Sequence, residues 1–148
     1  MRRISLLSLL VGAFVLVGCG GGSSGTASAS PKSGSATTTV AATLSEFKIV
    51  LDKSQAPSGN VTFNAKHDGT VPHELMVVRS DIAEDKLPLD SAGTMVDEAK
   101  VTLSGHIAQF DTKTSKSGTF TLAAGKYIVF CNVAAHYAAG MHTAFTVQ

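Results

Sequence analysis

An all-β sandwich is the fold class this sequence predicts, and three observations carry it. Apolar and β-branched side chains alternate in short runs, as strands with one buried face require. Turn signals separate the runs, among them Pro57-Ser58-Gly59, Asp68-Gly69 and Ala124-Gly125. No long stretch keeps the apolar period of a helix.

The elements follow in order from the start of the 148-residue chain. Arg2 and Arg3 precede an apolar run from Ile4 to Val17, which ends in Leu16-Val17-Gly18-Cys19. That run is shorter than the ~20 residues that cross a bilayer, so residues 1–18 read as an export signal. Its end resembles a bacterial lipobox, which implies that Cys19 becomes the lipidated first residue of the mature protein. The paired arginines also permit a twin-arginine export signal, although charge in this region has a simpler use. After Cys19, residues 20–38 are Gly, Ser, Ala and Thr with one Pro and one Lys, too poor in large apolar side chains to fold alone. They form a tether with a reach on the order of 25 Å.

Residues 39–148 make one domain, large enough to bury a core. The strands expected are Thr39 to Leu44, Phe47 to Leu51, Asn60 to Lys66, His73 to Arg79, Val101 to Leu103, Gly118 to Leu122, Lys126 to Phe130 and Met141 to Val147. Between Asp81 and Lys100 the rhythm breaks: Ile82, Leu87, Leu89, Met95 and Val96 lie among acids and lysines, a long excursion with room for a short helix. Strand parity puts Tyr127, Val129 and Cys131 on one face, with Leu75 and Val77 beside His73, and Thr143, Phe145 and Val147 beside Met141. The opposite face carries Met76, Val78, Ile128 and Phe130. The excursion is the available cover for it.

Twelve Lys and Arg against eleven Asp and Glu leave a net charge of +1, scattered along the chain. This excludes a nucleic-acid surface and a strongly charged docking face. The cysteines say more. Two are present, and with Cys19 assigned to lipid, Cys131 has no partner. A lone thiol in an oxidising compartment is buried and inert, paired between molecules, or bound to a metal.

The neighbours of Cys131 favour the metal. In Cys131-Asn132-Val133-Ala134-Ala135-His136-Tyr137-Ala138-Ala139-Gly140-Met141, a thiol, an imidazole and a thioether recur at even spacing. Soft sulfur ligands favour copper(I) and imidazole suits either copper oxidation state. A Cys with two His and a weak axial Met marks electron-transfer copper. Val71-Pro72-His73-Glu74-Leu75 offers the second histidine at the start of an apolar strand. Each residue alone has a plainer use: His73 and His136 as ordinary buried histidines, Met141 as core filler.

From Gly125 to Met141, the stretch Gly-Lys-Tyr-Ile-Val-Phe-Cys-Asn-Val-Ala-Ala-His-Tyr-Ala-Ala-Gly-Met resembles the cupredoxins, the blue copper proteins. Asp68-Gly69-Thr70-Val71-Pro72-His73 is similar to their segment bearing the first histidine. The four-residue gaps in the ligand loop look most like auracyanin. The resemblance implies an eight-stranded Greek-key β-sandwich holding one type 1 copper ion, with His73, Cys131 and His136 as equatorial ligands and Met141 as the axial one. It departs at Glu74, where plastocyanin and azurin carry an Asn that buttresses the ligand loop. A residue at that place tunes the metal, so Glu74 bears on the redox potential more than on copper binding. As a free side chain it would be a solvated strand residue.

The other histidines are set aside. His67, beside Asp68-Gly69, reads as a turn histidine at the copper end, His106 as a loop residue without ligand spacing, and His142 as facing away. Ser104 and Asp111 near His106 form no ordered triad, so no enzyme is expected. The function expected is that of a lipid-anchored electron-transfer protein, a monomer facing the periplasm or cell exterior, passing single electrons between redox partner proteins. Ala134, Ala135, Tyr137, Ala138 and Ala139 would give His136 a low apolar surround for docking. The alternatives are copper delivery, storage or tolerance on the same fold, and a metal-free sandwich that serves as a binding module.

Overall fold

The computed structural model describes residues 37–148, so the export signal, Cys19 and nearly all of the tether lie outside the described residues. Among the described residues nine strands form: β1 (Thr38–Ser45), β2 (Lys48–Leu51), β3 (Gln55–Ala56), β4 (Gly59–His67), β5 (His73–Arg79), β6 (Thr102–Phe110), β7 (Ser115–Leu122), β8 (Gly125–Phe130) and β9 (His142–Val147). They make two sheets, ordered β2-β1-β4-β7 and β3-β9-β8-β5-β6. Both sheets are mixed. β1 runs parallel to β4, and β3 runs parallel to β9.

The ninth strand is β3, two residues whose pairing with the end of β9 no alternation could reveal. A larger difference lies at β6. The sequence suggested only Val101 to Leu103, whereas the strand continues to Phe110 along the edge of the second sheet. Polar Ser104, His106 and Gln109 face outward there and dilute the apolar signal. Gly105 belongs to packing, because a Cβ at that position would lie 2.4 Å from the ring of Phe120. β6 and β7 meet closely there, although they belong to different sheets.

Parity holds through the core. Between the sheets lie Val40, Ala42, Leu44, Val61, Phe63, Leu75, Val77, Tyr127, Val129, Phe145 and Val147, and Cys131 and Met141 join the same cluster. On the outer side of β5 and β8, Met76, Val78, Ile128 and Phe130 are buried beneath Leu87 and Val96, with Tyr137 in the same layer. The excursion is therefore the cover that the sequence required. It contains no α-helix, only the 3-10 turn Glu98–Lys100, capped by the Asp97 side chain accepting the Ala99 N–H at 3.2 Å. Asp90 ties its bend by accepting from the N–H groups of Thr94 at 2.9 Å and Met95 at 3.3 Å.

Candidate metal centre

The loop from Cys131 to Met141 leaves β8 and enters β9, and its own backbone closes it. Cys131 N–H donates to Met141 C=O at 3.1 Å, Met141 N–H to His136 C=O at 3.0 Å, and His136 N–H to Val133 C=O at 2.9 Å. The excursion then clamps it from outside. Ala135, in the left-handed region at φ 69°, donates its N–H to Thr94 C=O at 2.7 Å. Asn132, 1 % exposed, accepts the Val96 N–H at 2.7 Å and donates to Val96 C=O at 3.2 Å and to Glu98 Oε1 at 3.1 Å. The Tyr137 hydroxyl accepts from Leu87 N–H at 2.8 Å and donates to Glu84 C=O at 2.7 Å. A loop so bonded has little freedom to move its side chains.

His73 arrives differently, as the first residue of β5. The segment before it is held by Glu46 in the β1–β2 turn, whose carboxylate accepts from the backbone and hydroxyl of Thr70 and from Val71 N–H. Those bonds, the Thr70 N–H above all, lower the Glu46 pKa to about 2. Gly69 leaves the needed space: a Cβ there would sit 2.6 Å from His73 Nε2 and 2.8 Å from Glu46 Oε1.

These two supports bring three donor atoms together. His73 Nδ1 lies 3.3 Å from His136 Nδ1, and Cys131 Sγ lies 3.4 Å from His136 Nδ1 and 4.0 Å from His73 Nδ1. All three atoms fall within 4.8 Å of one another, the only such grouping of His, Cys, Asp and Glu among the described residues. Cys131, His73 and Met141 are fully buried, and His136 keeps 7 % exposure. Burial raises the Cys131 pKa, while backbone N–H groups of Glu74 and Val133 at the sulfur draw it partly back. Burial, then the neighbouring His67 and His136, lowers His73 to about 4, and burial likewise lowers His136. The imidazoles are therefore neutral near pH 7, with lone pairs free for a metal. One soft thiol, two neutral imidazoles and a buried thioether suit copper and fit poorly with the oxygen-seeking cations.

The Sulfocyanin (SoxE) domain matches residues 32–148, most of the chain. The chain belongs to the sulfocyanin family. It is thus a cupredoxin, and its cofactor is one copper ion. Its fold is similar to that of reduced auracyanin from Roseiflexus castenholzii, at 24 % identity and TM-score 0.54, over 76 % of this chain and 96 % of that one. Auracyanin A from Chloroflexus aurantiacus, a "blue" copper protein, matches at 22 % identity and TM-score 0.52, over 76 % of this chain and all of the other (100 %). Rusticyanin from Thiobacillus ferrooxidans matches at 19 % and 0.53, over 76 % of this chain and 77 % of its own. No curated protein matches the chain significantly.

The other histidines of this sulfocyanin-family chain correct the sequence reading in two places. His67 is no turn residue: it ends β4, fully buried, its ring 4.7 Å from that of His73 and edge-on to Phe110 at 5.5 Å. Among the described residues neither of its ring nitrogens has a hydrogen-bond partner. His106 is no loop residue. It lies on β6 and pairs with Glu74 at 2.8 Å, so Glu74, its side chain only 12 % exposed, is not a solvated residue either. His142 faces away from the centre as expected, its ring tilted against that of Tyr137 at 5.0 Å. Asn132, Glu46 and His67 were missed as supports. Asn132 stands next to Cys131 in the chain, but its partners lie more than thirty residues away.

Proposed function

We propose that this protein carries single electrons between redox proteins outside the cytoplasm, with copper held by His73, Cys131, His136 and Met141. The observation that supports it best is the convergence of three buried donor atoms within 4.8 Å at the mouth of a hydrogen-bonded loop. Bound copper would supply the one-electron couple. The chain's part is to keep the donors in one arrangement through the change of charge, so that little energy goes into rearranging them. Asn132, Tyr137 and the Thr94 carbonyl restrain the loop, and burial keeps water from the donors. Copper delivery fits less well, since an ion handed to an acceptor needs ligands that open.

His136 is the donor residue that reaches the surface, and Ala134, Ala135, Ala138 and Ala139 around it are exposed and short. Phe47, 47 % exposed, stands edge-on to it at 5.4 Å. A partner's redox centre can approach His136 closely over this low apolar rim. Tyr137, expected in that rim, turns instead into the outer core. Export and a lipid anchor at Cys19 would hold the domain on a bacterial membrane facing the periplasm or exterior, with the tether letting it visit a donor and an acceptor in turn.

Voltammetry of the copper-loaded chain tests the carrier reading. A reversible one-electron wave with a stable, intensely blue oxidised form is the expected result. Rapid surrender of copper(I) to a mild chelator, with no reversible wave, would favour delivery.

A further inference from the structure

A cleft of about 560 Å³ lies beside the His73 corner, lined by Thr70, Pro72, Gln109, Phe110, Asp111 and Thr112. Its place is fixed by the fold. Pro72 immediately precedes His73, and Phe110, which ends β6, is the register partner of His73 across the β5–β6 pairing. Thr70 is bonded to Glu46, and the residue after Glu46 is Phe47, which stands edge-on to His136. The cleft and the rim around His136 are therefore two parts of one end of the sandwich, joined through the β1–β2 turn.

The charge in the cleft is unspent. The turn after β6 is closed by the Asp111 backbone, whose C=O accepts the Thr114 N–H at 3.3 Å and the Thr114 hydroxyl at 2.6 Å, so the carboxylate takes no part in it. Among the described residues that carboxylate has no ion pair, because the neighbouring lysines are turned elsewhere. Lys113 donates to Asp68 C=O at 2.6 Å, Lys116 to Ala108 C=O at 3.3 Å, and Lys66 pairs with the Asp68 carboxylate at 2.9 Å. Pro72 and Phe110 supply apolar walls, and the Gln109 amide and the Thr112 hydroxyl line the same space. A carboxylate beside flat apolar walls suits a cation on an apolar stem, arginine above all, whose planar guanidinium stacks and pairs at once. Every lining residue except Phe110 is exposed. A small molecule lodged here would stay in water, whereas small-molecule sites bury most of their ligand. A side chain carried by a docked protein is sheltered by the contact around it.

We propose that this cleft is a docking subsite for an arginine or lysine side chain of the redox partner, seated against Asp111 while the partner's redox centre faces His136. The inference rests on the carrier reading above and gives the partner a chemistry: a cation placed next to an apolar contact. A single exposed carboxylate steers and orients the encounter more than it holds the complex.

The test follows reduction of the copper-loaded full chain by stopped flow, with a lysine-rich ferrocytochrome c as the probe, one electron passing from haem iron(II) to copper(II). At low ionic strength Asp111→Asn should slow the second-order rate roughly threefold and Asp111→Lys roughly tenfold, and both deficits should fade as salt is raised. Asp81→Asn makes the same change in net charge as Asp111→Asn, but beyond the far end of β5, and should leave the rate within a factor of about 1.5 of wild type. All three variants should keep the wild-type blue band, since none touches a donor. An arm without copper adds a second readout: tri-arginine added to the 15N-labelled, metal-free full chain should move the amide signals of Gln109, Asp111 and Thr112, and should not do so in Asp111→Asn. An Asp111→Asn rate equal to that of wild type, or a slowing matched by Asp81→Asn, would overturn the proposal, as would tri-arginine shifts that persist unchanged in Asp111→Asn. A wild-type chain that takes up no electron would defeat the carrier reading instead, and the tri-arginine titration would still decide whether the cleft seats a cation.

Discussion

The ligand loop and the His73 corner build the same centre by different means. From Cys131 to Met141 the backbone and the side chains of Asn132 and Tyr137 are tied by hydrogen bonds to the excursion. At the corner, Glu46 bonds the segment before His73, while His73 itself is held by strand register, by the gap at Gly69, and by the tilted ring of His67, whose nitrogens have no partner among the described residues. A loop has no register of its own and needs bonds to fix it, whereas a strand's first residue inherits its place from the sheet.

If this contrast is right, the heaviest cost comes from cutting the clamp. Asn132→Leu keeps the volume but leaves the buried N–H and C=O of Val96 unpartnered, and each such group costs about 1–3 kcal/mol. Denaturant unfolding should show a loss of about 3 kcal/mol, and a change below about 1 kcal/mol would mean the clamp is ornamental.

Acid should find the corner next. Folding lowers the His73 pKa to about 4 from an ordinary 6.5, so the unfolded chain takes up the proton first. Stability of the metal-free protein should be full above pH 6.5 and fall as pH drops toward about 4, by on the order of 3 kcal/mol. His136, also lowered by burial, adds in the same direction. Unfolding free energies measured across that range would show the slope, and a flat profile would contradict it.

A smaller disturbance isolates His73 alone. In Gly69→Ala the new methyl carbon presses on Nε2 of His73 and on Glu46, so the imidazole must shift while the ligand loop stays fixed. Copper affinity, measured by chelator competition, should drop by roughly tenfold, in the range seen when the residues that orient a ligand are lost. The least effect is expected at His67, where stacking alone acts. His67→Phe replaces unpartnered nitrogens beside Phe110 with apolar edge, and unfolding should show it neutral or more stable by up to about 1 kcal/mol. A marked loss would reveal a hydrogen bond at that ring.

The same contrast explains what could be read in advance. The grouping of His73, Cys131 and His136 was legible because ligand chemistry restricts residue type and spacing. The inner and outer clusters were legible from parity, since one alternate face of β5 and β8 enters each. Hidden were the supports that depend on meetings between distant segments: Asn132 with Val96, Glu46 with Thr70, Glu74 with His106. The extension of β6 was hidden for a related reason, as an edge strand with polar residues outward lacks a strong apolar pattern. The parallel pairings of β1 with β4 and β3 with β9 leave no local mark at all.

The central claim is that Cys131 gives its sulfur to copper within this cage. Visible absorption of the copper-loaded wild type and of Cys131→Ser tests it most directly, because the intense band arises from charge transfer between thiolate and copper(II). The account predicts a strong blue band in the wild type and its complete loss in Cys131→Ser, even where some copper remains bound. A Cys131→Ser protein that kept the full band would place the centre elsewhere and contradict the account.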